Sequence, residues 1–197
     1  MRRSRGSLFG AVLVAGALLL AACGGGDDDD GGDGGDGGGE TVSADAYAAA
    51  FCDAFGAWID EVGNLSSGLQ SGLQPGISEE EGQEILRDFL GAILTATDQL
   101  ADDLEAAGAP DVENGEEFAG ALSGAIDDAR AALETAQEGV EELPLDSPEG
   151  FQQASDELGN EINDAFDQAG DPLEDFEIPE LQEAFENEPA CAEIPSF

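Results

Sequence analysis

The sequence contains no histidine and no lysine, and its 5 cations are all arginine, set against 46 Asp and Glu for a formal charge of −41. Without imidazole the chain lacks the commonest general base, the usual partner of a serine or cysteine nucleophile, and the commonest metal ligand. A His-based triad and imidazole-held haem or zinc are thereby excluded, as is a di-iron bundle built on Glu-x-x-His. The lack of clustered Lys or Arg removes the charge that nucleic-acid binding requires. Strands are missing from the pattern too: no run alternates with period two over strand length, β-branched residues are sparse, and helices are the default.

What is there begins with a leader. Arg2, Arg3 and Arg5 precede an apolar run from Leu8 to Leu20, and the small residues Ala21 and Ala22 follow, in the layout of a secretory signal peptide. The run is shorter than the roughly 20 apolar residues of a spanning helix. Ser4-Arg5-Gly6-Ser7 follows Arg2-Arg3 where twin-arginine export would need apolar residues, so general secretion is the expected route. Leu20-Ala21-Ala22-Cys23 resembles the lipobox of bacterial lipoproteins. That resemblance, confined to residues 1–23, implies a diacylglyceryl group on the Cys23 thiol, cleavage before Cys23, and attachment to the membrane outside the cytoplasm.

Residues 24–39 are all Gly or Asp. Such a stretch has no apolar side chain to bury and is expected to be disordered, an extended tether spanning about 20–24 Å or more. Two calcium patterns fit it incompletely. Gly31 to Asp36 matches the start of a β-roll nonapeptide, but Gly38 stands where that repeat needs an apolar residue. Asp29 to Glu40 has the length of an EF-hand loop, but Gly31 occupies its third position. The chain therefore divides into residues 1–22, a signal peptide; 23–39, the lipidated cysteine and tether; and 40–197, an acidic helical domain of ordinary size.

Within that domain the spacing predicts four long amphipathic helices. Tyr47, Phe51, Phe55, Trp58 and Val62 stripe residues 44–65. Leu86, Leu90, Ile93, Thr97, Leu100 and Leu104 stripe 79–107, behind a Ser78-Glu79-Glu80-Glu81 capping box. Phe118, Leu122, Ile126, Leu133 and Val140 mark 115–142, ended by Leu143-Pro144. Ser147-Pro148 opens 148–169, with Phe151, Leu158, Ile162 and Phe166 inward, and Pro179 opens a short last helix. The simplest packing is an all-α, up-and-down bundle of four helices plus the short C-terminal one. That topology returns the chain to the start of the first helix, where Cys191 can meet Cys52. Export to an oxidising compartment and an even count of remaining thiols predict one disulfide between them.

Other features are less specific. Tyr47, Phe51, Phe55 and Trp58 either line a pocket for an apolar ligand or, as aromatics at helical spacing commonly do, form core. Arg87 and Arg130 have acids at helical reach, Glu84 for the first and Asp127 and Glu134 for the second, so intrahelical ion pairs are expected. Adjacent acids such as Asp102-Asp103 or Glu141-Glu142 do not face one another on a helix and read as a solvated face; a glycosidase would need two acids flanking a cleft. No catalytic residue, cofactor or metal site is expected. The acidic, lysine-free composition suits concentrated salt and looks like that of an envelope protein from a GC-rich bacterium. The functional expectation is a lipid-anchored, non-enzymatic binding or structural module whose partners are the membrane, through Cys23, and either weakly held divalent cations or a basic envelope component. The rivals are a Ca²⁺- or Mg²⁺-binding protein and, behind it, a carboxylate-dependent enzyme.

Overall fold

The computed structural model describes residues 41–74, 76–173 and 176–194. The segments expected to be a signal peptide, a lipidated Cys23 and a Gly/Asp tether lie outside the described residues. The described chain is mostly helical, with a two-residue strand β1 (Thr41–Val42), α1 (Ala44–Gly72), α2 (Glu79–Ala107), β2 (Ala109–Pro110), α3 (Gly115–Glu141) and α4 (Pro148–Gly170). A 3-10 turn at Asp171–Leu173 leads to α5 (Pro179–Asn187) and α6 (Pro189–Glu193).

Local chemistry accounts for most of these boundaries. The Ser43 hydroxyl accepts from the Ala46 amide at 3.3 Å and starts α1. At α2 the Ser78 hydroxyl accepts from the Glu81 amide at 3.2 Å, while the Glu81 carboxylate accepts from the Ser78 amide at 3.0 Å, closing the capping box. Ser147 caps α4 by accepting from the Gly150 amide, and Pro148 occupies the first turn, where its missing N–H costs no hydrogen bond.

Helix α1 continues to Gly72, one to two turns beyond the stop expected near residue 65. The apolar stripe does not end at Val62 but continues through Leu65 and Leu69, both half-buried. Two serines of this last stretch, a residue type ordinarily poor in helix interiors, turn their hydroxyls onto the helix itself: Ser67 donates to the Gly63 carbonyl and Ser71 to the Ser67 carbonyl, each at 2.9 Å. A short parallel pairing was also not expected: Thr41 lies opposite Ala109 and Val42 opposite Pro110, and the Asp111 amide donates to the Val42 carbonyl at 2.7 Å. It ties the entry of α1 to the α2–α3 link, a contact between segments far apart in sequence.

Packing follows three apolar clusters. Ala54 of α1, Leu100 and Leu104 of α2 and Ile126 of α3 form one. Leu90, Ile93, Leu133, Ala136 and Val140 form a second between α2 and α3, and Phe151, Leu158, Ile162 and Phe166 of α4 lie half-buried against it. Tyr47, Ile178 and Leu181 centre a third, which joins α1 to α5, with Phe118 and Leu122 of α3 packed against it. Each long helix packs on the next, while α5 and α6 pack on α1. Two glycines permit close approaches. A Cβ at Gly82 would stand 3.0 Å from the Phe151 ring of α4, and one at Gly115 would fall 2.0 Å from the Pro110 carbonyl oxygen. Gly115 follows Asn114, whose φ of 64° lies in the left-handed region that Asn tolerates best after glycine.

The capping box carries a pH-dependent prediction. The Ser78 backbone amide, and then its hydroxyl, hold the Glu81 carboxyl below the ordinary Glu range. A depressed folded-state value means that this contribution is present above the unfolded value and fades as pH falls through the folded one. Ser78→Ala, which removes the hydroxyl that caps the Glu81 amide, is expected to cost about 1 kcal/mol at neutral pH as a lost N-cap. Thermal melts of both proteins across the acid range should show the difference narrowing once Glu81 is protonated; a gap independent of pH would mean that the box contributes only through the serine.

Candidate functional site

The four aromatics of α1 form a continuous ladder. Tyr47 and Phe51 stack at 6.4 Å between ring centroids, Phe51 and Phe55 at 5.5 Å, and Phe55 and Trp58 at 5.5 Å. Other elements close on its upper rungs: Phe118 of α3 meets Tyr47 edge-on at 6.2 Å, and Phe185 of α5 meets Phe51 edge-on at 5.2 Å. Tyr47 is 1% exposed, and burial pushes its phenol up to about 12. It is core. Phe51 and Phe55 are half-buried among the clusters, and Trp58 lines a concave surface on the flank of α1.

That surface is a groove of about 470 Å³ between α1 and α2. On the α1 side Ala57, Trp58 and Glu61 form its wall; on the α2 side Ala92, Ala96 and Asp103 do so. All residues lining it belong to these two helices. The Trp58 indole N–H donates to the Thr97 hydroxyl at 3.2 Å, and that hydroxyl donates to the Ile93 carbonyl at 2.9 Å, so the ring is held at a fixed angle on the groove wall. Thr97 is the buried polar residue of the apolar stripe on α2, and its exposure of 2% is tolerable because both of its hydrogen-bonding roles are filled. Gln99 donates to Asp103 at 2.8 Å along the groove edge. Sequence reasoning found Trp58 but not the α2 half of the groove, because alanines at helical spacing carry no signal that separates a groove floor from helix packing.

Cys52 and Cys191 stand at disulfide distance, 1.93 Å between sulfurs and 5.0 Å between Cα atoms. The carrier of Cys191 is the extra helix α6, which packs beside α1. The two arginines meet the intrahelical expectation only in part: Arg130 keeps Asp127, while Glu84 and Glu134 are replaced by acids of the neighbouring helix. Arg87 of α2 faces Glu141 of α3 at 3.8 Å, and Arg130 of α3 pairs with Asp98 of α2, with Asp127 on its own helix a longer 4.0 Å away. Each guanidinium thus bridges α2 and α3, since a side chain emerging at a helix–helix seam can reach the neighbouring helix as easily as the next turn of its own. Both pairs are largely solvent-exposed, and such pairs contribute little to stability. Among the described residues no group of three or more Cys, Asp or Glu is placed to hold a metal ion, and no helix is long and apolar enough to cross a membrane.

Comparison of the chain with models of protein families, with curated proteins and with solved structures returns no match.

Proposed function

We infer that the chain is a lipid-anchored, extracytoplasmic protein of a bacterial cell envelope, acting as a non-enzymatic binding or structural module. The observation that carries this reading is Leu20-Ala21-Ala22-Cys23 behind a charged segment and a 13-residue apolar run. The Cys52–Cys191 pair at disulfide distance supports it, since such bonds persist in oxidising compartments. In this reading residues 23–39 hold the domain away from the headgroups. Its four long helices run up and down as a bundle, with α5 and α6 beside α1; the short links at 73–78 and 142–147 and the packing of each helix on the next support that arrangement. A module role suits a groove lined mostly by alanine, with Trp58 and Leu100 as its larger apolar side chains.

The test is acylation. Expressed in an exporting bacterial host, the protein is expected to incorporate labelled palmitate and enter the detergent phase, two or more acyl chains being needed for stable anchoring. Cys23→Ser should abolish the label entirely. Palmitate incorporation that survives Cys23→Ser, or an unlabelled parent protein, overturns the lipid anchor.

A further inference from the structure

We propose that the α1–α2 groove is a docking site for a cationic amphipathic helix of another protein. The inference deepens the binding-module reading and rests on it, but it draws on the domain's shape and charge rather than on its anchor. The groove extends from Ala54 to Glu61 on α1 and from Ala92 to Asp103 on α2. At 1.5 Å per residue these are walls of about 11 and 17 Å, the length of two to three helical turns. Its apolar lining is four alanines, Ala54, Ala57, Ala92 and Ala96, with Leu100 and Trp58 as the larger side chains. Small side chains let a third helix seat its own ridge at ordinary helix-packing distance.

Charge selects the occupant. Glu61 and Asp103, both exposed, stand at the groove's edges, and among the described residues no cation lines it. Arg87 and Arg130 are turned to the seam between α2 and α3, where they meet Glu141 and Asp98. Residues 40–197 hold 40 acids against those 2 Arg, a formal −38, so a second copy of the chain would be repelled from this face. An acidic or neutral helix gains nothing from the rim. A helix with an apolar ridge flanked by Lys or Arg satisfies both features at once: the ridge covers the alanines and the indole, while the flanking cations approach Glu61 and Asp103. Steering by the whole domain's field would speed its association at low salt.

Trp58 is the only tryptophan of the chain, so its emission reports on the groove directly. The experiment titrates the full chain, purified from an exporting host, with an 18-residue synthetic peptide of Leu and Lys patterned to place Leu on one helical face. A second titration uses the same peptide with Glu in place of Lys. The Lys peptide is expected to give a saturable blue shift of Trp58 emission, weakened at least tenfold by 1 M NaCl, and the Glu peptide none. Filling the groove without changing charge, by Ala57→Gln at an exposed position or by Ala96→Gln, should weaken binding at least tenfold; Glu61→Gln with Asp103→Asn should weaken it severalfold. No saturable response to the Lys peptide overturns the proposal. Equal affinity in the filled variants also overturns it, because the peptide would then be adsorbing to the acidic surface at large. Choline reproducing the response at similar concentration would replace the helix with a small organic cation. These readouts are independent of acylation, so failure here leaves the lipid anchor standing, and failure of the palmitate test leaves this result intact.

Discussion

Replacing either Cys52 or Cys191 by Ser is expected to lower the melting temperature by about 10–20 °C, by a similar amount for each residue, and the double replacement should be little worse than either alone. The first part follows from loop closure. The pair is separated by 139 positions, and the chain-entropy model assigns the cross-linking of such a loop about 5 kcal/mol, an upper figure. For a chain of this size each kcal/mol shifts the melting temperature by about 2–4 °C. The second part follows because one bond is lost in all three variants, so their effects cannot add. The variants should still fold at low temperature. Ile178, Leu181 and Phe185 continue to pack against Tyr47 and Phe51, so α5 keeps an apolar seat on α1 without the covalent tie. Melting curves of the four proteins under oxidising conditions, with free-thiol labelling of the parent, measure this. Rapid labelling of both thiols in the native parent protein would falsify the disulfide.

Raising NaCl from 0.1 M to 1 M is expected to stabilise the domain by several degrees, the reverse of what salt does to a fold held by surface ion pairs. The formal −38 of residues 40–197 opposes compaction through self-repulsion. Added salt shortens the Debye length from about 10 Å to about 3 Å and so removes most of that repulsion between exposed carboxylates. The loss on the other side is small, because the described ion pairs are few and exposed. Millimolar CaCl₂ separates this general effect from the rival reading as a divalent-cation protein. A ligand that binds only the native state raises the melting temperature in proportion to the logarithm of its concentration over its dissociation constant, at ionic strengths far too low for screening. The expected result is a clear NaCl effect and only a modest excess for calcium. Identical melts in the two NaCl solutions would remove the case for salt adaptation, and a large shift with CaCl₂ alone would place cation binding ahead of the docking role.

The helix limits were the most legible part of this protein. Ser78 with Glu81, Ser147 with Pro148, and Pro179 act within a single turn of backbone, so their effect can be read from adjacent residues. At its C-terminal end α1 outruns the expected limit, because the hydrophobic spacing does not stop at Val62 but continues through a Gly- and Ser-rich stretch to Leu65 and Leu69. The inward faces were legible as well: Leu90, Ile93, Thr97, Leu100 and Leu104 on α2, and Ile126, Leu133 and Val140 on α3, are buried as their periods indicate. The groove was half legible. Trp58 drew notice as an aromatic, whereas Ala92 and Ala96 are side chains whose role depends on what stands opposite them.

By itself, the sequence determined the acidic character, the helical content and the face that each helix turns inward, because composition and the 3.6-residue period are properties of the chain before it folds. Only the tertiary structure decided which helices become neighbours. It placed α5 and α6 on α1, left α4 half-buried against the α2–α3 cluster, brought Arg87 and Arg130 to acids across the α2–α3 seam while Arg130 kept Asp127 of its own helix, and left the α1–α2 groove open beside Trp58. An apolar stripe states that a face must be covered but not by what. The choice among partners is made by side-chain shape over long sequence separations, as where Gly82 admits Phe151, and no local pattern encodes that fit.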